Sequence, residues 1–412
     1  MLTDSDVLEL RNKVRAKIDF GGALPDERLM RITEETVFEW CERNPLTATE
    51  KVKLVRRLFH SFRGLDILQP LMEDASVTEI MINHHAEIFV ERGGRMTLLP
   101  VSFESRERLE DLIQTVVASV NRVVNESSPI VDARLRDGSR VHVVLPPVAL
   151  RGPCMTIRKF PERPMTMEQL VAGGSLTSEA AAFLKELIVA KYNIFISGGT
   201  GTGKTTFLNA LSQFIPSDER IVTIEDSAEL QLRTIPNLVA METRNANTEG
   251  KGEITVRDLI RASLRMRPNR IIVGEVRGGE ALDMLQALNT GHAGSMSTGH
   301  SNGAKDMMAR LETMVLSAAE LPVPVIRQQI ASAIDIVIHL SRFRDRSRKV
   351  LEICEIAGME AGEVRLNPLF VFEEEGDSGG LVLGKLKRSD HPLLHTDKLT
   401  MAGRTLELSG TG

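Results

Sequence analysis

The run SGGTGTGKTT, Ser197 to Thr206, spaces its glycines and its lysine for one kind of chemistry. Gly198, Gly203, Lys204 and Thr205 fill the pattern G-x-x-x-x-G-K-[ST]. The glycines let backbone N–H groups turn inward around an anion, the lysine reaches β- and γ-phosphates, and the threonine hydroxyl is placed to ligate Mg²⁺. Gly199, Thr200, Gly201, Thr202 and Thr206 complete the cradle. A lysine with this task is expected to be exposed on its loop. Three further clusters carry candidate chemistry: TIEDSAE with Glu225 and Asp226, RIIVGEVRG with Glu275 and Arg277, and TGHAGSMSTGH with His292 and His300.

Phosphoryl transfer to water needs an oriented water, Mg²⁺ and cations matched to the developing charge. Glu225 is placed to orient the water, and Glu275 to hold Mg²⁺ through a bound water, with Thr205 as the other metal residue. An isolated loop glutamate is ordinarily a solvated acid. Two of them, each ending an apolar strand downstream of a phosphate loop, favour a site, with ATP as the substrate. His292 and His300 either sense the γ-phosphate or serve the fold, and the residues leave that open. His339 reads as structural. Arg261, Arg265, Arg267 and Arg270 form a basic cluster that either meets phosphate or covers a solvated or subunit-facing helix.

The elements that must position these groups alternate. Apolar runs at Ile194–Ile196, Ile221–Ile224, Leu238–Met241, Ile271–Val273, Gly294–Ser297 and Ile334–His339 read as short buried strands between helices. Short apolar strands of this kind predict a largely parallel α/β sheet covered on both faces, with ligands at the carboxyl ends of its strands. Residues 176–360 make this domain. Residues 1–65 read as a helical extension, with apolar residues near a 3.6 spacing. Residues 66–160 read as a mixed α+β domain with hairpins at Gly93-Gly94 and Asp137-Gly138 and a helix over Arg106–Asn121. Pro161 and Pro164 mark a linker, 161–175, and the polar, glycine-rich segment 361–412 reads as a loose appendage containing a hairpin.

A chain of 412 residues, 42% hydrophobic and 26% charged, supports two to three folded domains. The formal charge of −5 and 4% aromatic content give no bulk reason to bind nucleic acid, and no nucleic-acid partner is expected. The three cysteines, Cys41, Cys154 and Cys354, lie too far apart for a zinc knuckle or a disulfide framework and fit a reducing cytosol. No apolar run is long enough to span a membrane, and the charged N-terminus lacks the core of a signal peptide. Any membrane contact is expected to be peripheral.

With GGTGTGKTT, IEDSAEL, RIIVGEVRGGEA and TGHAGSMSTGHSN in this order, the sequence resembles the secretion ATPases of the type II/type IV superfamily. In that family a Gly-Glu pair at the strand of RIIVGEVRG is the normal form. Within it, INHHAEIFVERGGRM and VDARLRDGSRVHVVLPPVALRGPCMTIRKF most resemble the CpaF-type ATPases of tight-adherence (Flp) pili. The conjugation-type ATPases of type IV secretion are the alternative, and a nucleic-acid translocase or a non-catalytic nucleotide-binding scaffold are the rival classes. General secretion-pathway members usually carry a tetracysteine zinc module, for which this chain lacks the cysteines. The resemblance implies a PAS-like N-terminal domain linked to a RecA-like domain and a homohexamer. It further implies ATP hydrolysis driving pilus assembly or secretion from the cytoplasmic face of the inner membrane, against platform proteins there. It also implies nucleotide contact by N-terminal-domain arginines, for which Arg134, Arg140 and Arg158 are the matching positions. From the residues alone, those arginines equally suit pairing with Asp132 and Asp137.

Overall fold

Apolar residues at helical spacing fold the start of the chain into α1 (Asp4–Lys17), α2 (Asp26–Cys41) and α3 (Ala48–Arg63). Val7 and Leu10, Val37, and Leu54, Val55 and Leu58 make their shared core. Thr47 starts α3 with a reciprocal capping box to Glu50. The computed structural model describes residues 4–18, 24–160, 163–246 and 250–406, and divides into two units, 1–162 and 163–412.

The first unit continues with α4 (Gln69–Glu73), β1 (Val77–His84), β2 (Glu87–Arg92), β3 (Arg95–Leu98), α5 (Arg106–Ser119), β4 (Ile130–Arg134), β5 (Arg140–Val144) and β6 (Cys154–Arg158). Its six strands pair antiparallel in the order β3-β2-β1-β6-β5-β4. The apolar stripe of α5 (Leu109, Leu112, Ile113, Val116, Val117) packs with Ile80, Ile82, Val141, Val143, Met155 and Ile157. Each aliphatic side chain so buried stabilises by about 1.5–3 kcal/mol.

The second unit comprises α6 (Met167–Ala172), α7 (Ser178–Val189), β7 (Ile194–Gly198), α8 (Lys204–Ser212), β8 (Ile221–Glu225), β9 (Leu238–Glu242), α9 (Val256–Ser263), β10 (Arg270–Val276), α10 (Glu280–Asn289), β11 (Met296–Gly299), α11 (Ala304–Leu316), α12 (Val323–Ala333), β12 (Ile336–Arg342), β13 (Arg348–Glu360), β14 (Glu363–Ser378), β15 (Leu381–Arg388) and α13 (Asp397–Met401). They form one nine-stranded sheet, β15-β14-β13-β12-β7-β11-β10-β8-β9. The six strands from β12 to β9 run parallel, so the loops leaving β7, β8, β10 and β11 gather on one edge. Successive residues of β7 face opposite cores: Ile194 and Ile196 enter one, Phe195 the other. This is the α/β architecture the sequence predicts.

Two segments differ from expectation. Residues 161 and 162 lie outside the described residues, but the rest of the expected linker is structured. Thr166 caps α6 through a capping box with Gln169, and Met167 and Leu170 are buried in the core of the second unit. Pro164 obscured this short helix. The expected loose appendage is instead sheet. β14 and β15 extend it as an antiparallel meander, and the acids of EEEGDSGG stand at exposed strand positions, Glu374 on Arg344 (2.6 Å) and Glu373 on Lys387 (2.8 Å). The chain after β15 then closes over Glu355, which at 1% exposure accepts the backbone N–H groups of Leu394 and His395 and a bond from Asn367 Nδ2. Tyr192 Oη donates to His395 O (2.5 Å), and Lys398 pairs with Asp335 (2.5 Å).

Candidate active site

β7 delivers the glycine-rich run to the gathering edge, and α8 begins at Lys204. Gly198 admits no side chain, because a Cβ there would stand 2.6 Å from Leu340 O. Gly203, at φ +93°, turns the chain into α8 through a left-handed conformation that favours glycine. Thr202 donates its hydroxyl to Gly199 O (2.9 Å), bracing the loop from within. Behind the loop, buried His339 meets Ser197 Oγ at 2.8 Å. Thr205 and Thr206 sit half-buried in the first turn of α8, and Gly199, Thr200 and Gly201 form the loop's outer part.

Lys204 is buried, at 8% exposure, where the sequence led us to expect an exposed loop residue. The loop wraps its own lysine: Nζ donates to Gly198 O (3.2 Å) and Gly199 O (3.1 Å) and lies 3.1 Å from His300 Nδ1. An ammonium donating to Nδ1 requires a neutral ring carrying its proton on Nε2. Burial first, then the Lys204 charge, lower the His300 pKa and keep it neutral. His300 Nε2 stands 2.7 Å from Glu275 Oε1, although this buried oxygen receives no well-aligned hydrogen bond. The other Glu275 oxygen takes Arg277 Nη2 at 3.0 Å, and Arg277 reaches Asp226 at 3.8 Å. Lysine, histidine, glutamate and arginine from three loops thus form one line. An under-satisfied carboxylate oxygen beside the cradle suits a Mg²⁺-bound water. Among the described residues no cluster of three His, Cys, Asp or Glu could hold a metal alone, so such an ion would be shared with Thr205 and phosphate oxygens.

A family profile described as type II/IV secretion system protein matches residues 62–370. The chain belongs to the type II/IV secretion system protein family. It is 35% identical over 333 residues to a putative conjugal transfer protein of Mycobacterium tuberculosis, covering 79% of this chain and 93% of that one. It is 32% identical over 303 residues to the type IV secretion system protein VirB11 of Brucella suis, covering 67% and 84%. The crystal structure of the pilus retraction motor PilT with bound ADP shares the fold, with a TM-score of 0.51, 19% identity, and 82% and 87% of the two chains covered.

This secretion-family chain carries Gly274 and Glu275 at the end of β10, and its structure gives the reason for the glycine. β8 and β10 pair with Ile224 opposite Val273, which sets Glu225 beside Gly274. A Cβ at position 274 would meet Glu225 Cγ at 2.7 Å. Glu225 fills the space an aspartate there would need. At 5% exposure it accepts N–H bonds from Glu229 (2.9 Å) and Leu230 (3.1 Å), while burial, aided by Glu229 and Glu242, pushes its pKa up to about 7 from 4.5.

The folded protein therefore binds this proton more tightly than the unfolded chain. That stabilisation is fully present below pH about 4.5 and is lost as the pH rises through about 7, a swing of order 3 kcal/mol. Glu225→Gln keeps the shape without the charge. Its melting temperature is expected to match wild type near pH 4.5 and to exceed it above pH 8. Parallel profiles for the two proteins would show that Glu225 is ionised throughout.

In this secretion-family fold the remaining sequence candidates separate. His292 lies beyond the opposite, N-terminal end of β11, its Nδ1 3.1 Å from Ala287 O. Four strand residues, about 13 Å at strand rise, part it from His300, so the structure does not bring it to the phosphate loop. Of the basic residues ahead of β10, Arg261, Arg265 and Arg267 are exposed, as the solvated-surface alternative has it, and Arg270 is not. Arg270, fully buried at the start of β10, makes a two-pronged pair with Glu219 (2.7 and 2.8 Å), and Arg261 joins Arg257 on Asp283. A buried guanidinium paired in this way serves the fold.

In the first unit, Arg134 stands opposite Arg140, and Arg140 opposite Arg158, across β4, β5 and β6. Directly opposed residues share a face, and like charges so placed repel. Arg134 lies over the Phe160 ring (5.6 Å to its centroid) and Arg158 is 3.8 Å from Glu79. Asp132 engages His142 (2.8 Å), and Asp137 engages Ser139. No helix among the described residues is long and apolar enough to cross a membrane.

Proposed function

We propose that this chain is an ATPase that powers a type IV secretion machine of the conjugal-transfer kind, working as a homohexamer. The observation that carries the ATPase reading is the line Lys204–His300–Glu275 at the mouth of the phosphate loop. Lys204 balances charge on the transferring phosphoryl group, Glu275 holds the water shell of Mg²⁺, and buried Glu225 orients the attacking water. Mg²⁺, when bound, would be held by Thr205 and, through water, by Glu275, and would supply charge neutralisation at the phosphates. His300 stands between the lysine and the carboxylate.

Conjugal transfer and type IV secretion names among the relatives favour this reading over assembly of a tight-adherence pilus, the reading the segments INHHAEIFVERGGRM and VDARLRDGSRVHVV had favoured. Platform proteins at the cytoplasmic face of the inner membrane remain the proposed partners, and membrane contact is peripheral. The row Arg134, Arg140 and Arg158 is proposed to donate to nucleotide phosphate oxygens, where guanidinium forks are favoured over lysine.

The test is Mg²⁺-dependent ATP turnover measured together with oligomeric mass, with and without phospholipid vesicles and DNA. Turnover by a hexamer, indifferent to DNA, is the expected result. Turnover that requires DNA would replace the secretion motor with a translocase, and absence of turnover in every condition would leave a scaffold. Arg140→Ala, at a half-buried position of β5 and checked for folding by circular dichroism, is expected to weaken ATP binding about tenfold. Unchanged affinity and turnover would remove the arginine row from the site.

A further inference from the structure

The hairpin joining β12 to β13, SRFRDRSRK, carries five basic residues, Arg342, Arg344, Arg346, Arg348 and Lys349, against one acid. Its root adjoins the phosphate loop, because Leu340 pairs with Gly198 in parallel register. Three of these charges have visible fates. Arg344 is held by Glu374 (2.6 Å) and Asp377 (3.4 Å), away from the loop. Lys349 donates to Gly174 O (3.3 Å) and lies over Phe372. Asp345, the single acid, is spent on Ser347 and on the backbone N–H of Val382. Arg348 differs. Among the described residues its guanidinium makes no hydrogen bond or ion pair, and it is exposed. Its Cδ stands 3.6 Å from where a Cβ on Gly203 would lie, so the side chain runs along the phosphate loop at the entrance to α8. Arg342 lies directly opposite it across the hairpin.

We propose that Arg348 is a nucleotide-binding residue of this chain's own site, donating from its guanidinium to phosphate oxygens of the nucleoside di- or triphosphate in the loop. The inference rests on the phosphate-loop reading and adds to it a cation from a hairpin more than 140 residues away in sequence. Backbone N–H groups of such a loop cradle the α- and β-phosphates, and Gly203 belongs to that stretch. The contact therefore serves ADP as well as ATP, unlike one made only to the γ-phosphate. The arginine is held by β13 itself, whose backbone at position 348 accepts a bond from Ser175 Oγ (2.9 Å), so its reach is fixed by the sheet.

The test compares wild type, Arg348→Ala, Arg348→Lys, Arg344→Ala and Lys204→Ala for binding of Mg²⁺-ADP and Mg²⁺-ATP by calorimetry, with circular dichroism as the fold control. Arg348→Ala is expected to weaken both nucleotides about tenfold and to flatten the salt dependence of binding. Arg348→Lys recovers part of the loss, and Arg344→Ala changes nothing. Should Arg348→Ala bind both nucleotides like wild type while Lys204→Ala does not, the inference fails and the phosphate loop stands. If Lys204→Ala also binds normally, the loop reading fails and takes the inference with it. An equal loss in Arg344→Ala would reduce the effect to bulk charge and overturn the specific contact.

Discussion

Replacing Lys204 by alanine is expected to lower ATP turnover by about 10²–10³-fold while the protein stays folded. The loss is electrostatic. In the proposed mechanism the ammonium, buried by its own loop, would offset charge that develops on the transferring phosphoryl group. Burial adds a consequence the sequence alone did not suggest. Gly198 O and Gly199 O lose a donor, so a modest fall in melting temperature should accompany the kinetic loss. His300 loses the cation that lowers its pKa and becomes easier to protonate. Turnover and melting temperature, measured on the same preparation, separate the two effects. A folded variant that hydrolyses ATP at the wild-type rate would end the motor reading.

Glu275→Gln should slow hydrolysis by about 10²–10⁴-fold and leave ATP binding nearly intact. The amide keeps the volume but carries no charge for the water shell of Mg²⁺, and it offers Arg277 a weaker acceptor than the carboxylate now 3.0 Å away. Fluorescent-nucleotide binding beside single-turnover hydrolysis reads both quantities. Glu225→Gln, measured in parallel, is expected to slow the chemical step as well. If only one of the two variants is slow, the pairing of a metal-side and a water-side acid is wrong.

The parallel half of the sheet was legible because its strands are short, apolar and buried on both faces, as Ile194, Phe195 and Ile196 are. The phosphate loop was legible because its glycines answer to a backbone geometry few other sequences satisfy. What escaped was set by partners distant along the chain. The polar run EEEGDSGG looks unstructured until Arg344 and Lys387 stand beside it. His292 and His300 look equivalent in sequence, yet the four residues of β11 carry them to opposite ends of a strand. Arg270 reads as one of several surface arginines until Glu219 is seen to bury it. Arg348 was missed for the same reason: nothing local in SRFRDRSRK announces that Gly203 lies against it.

Glu225 stands where a side chain at position 274 would begin, a Cβ there meeting its Cγ at 2.7 Å, so the two positions are coupled. An aspartate at 274, the residue many phosphate-loop enzymes carry at this strand end, is excluded while the glutamate stands next to it. Removing the glutamate makes room there but discards the acid proposed to orient the attacking water. Substitutions at 225 and 274 are therefore expected to be non-additive in a double-mutant cycle. A comparison that scores Gly274 alone would count a missing acid, although Glu275 follows it on the same strand and Glu225 stands beside it on the next.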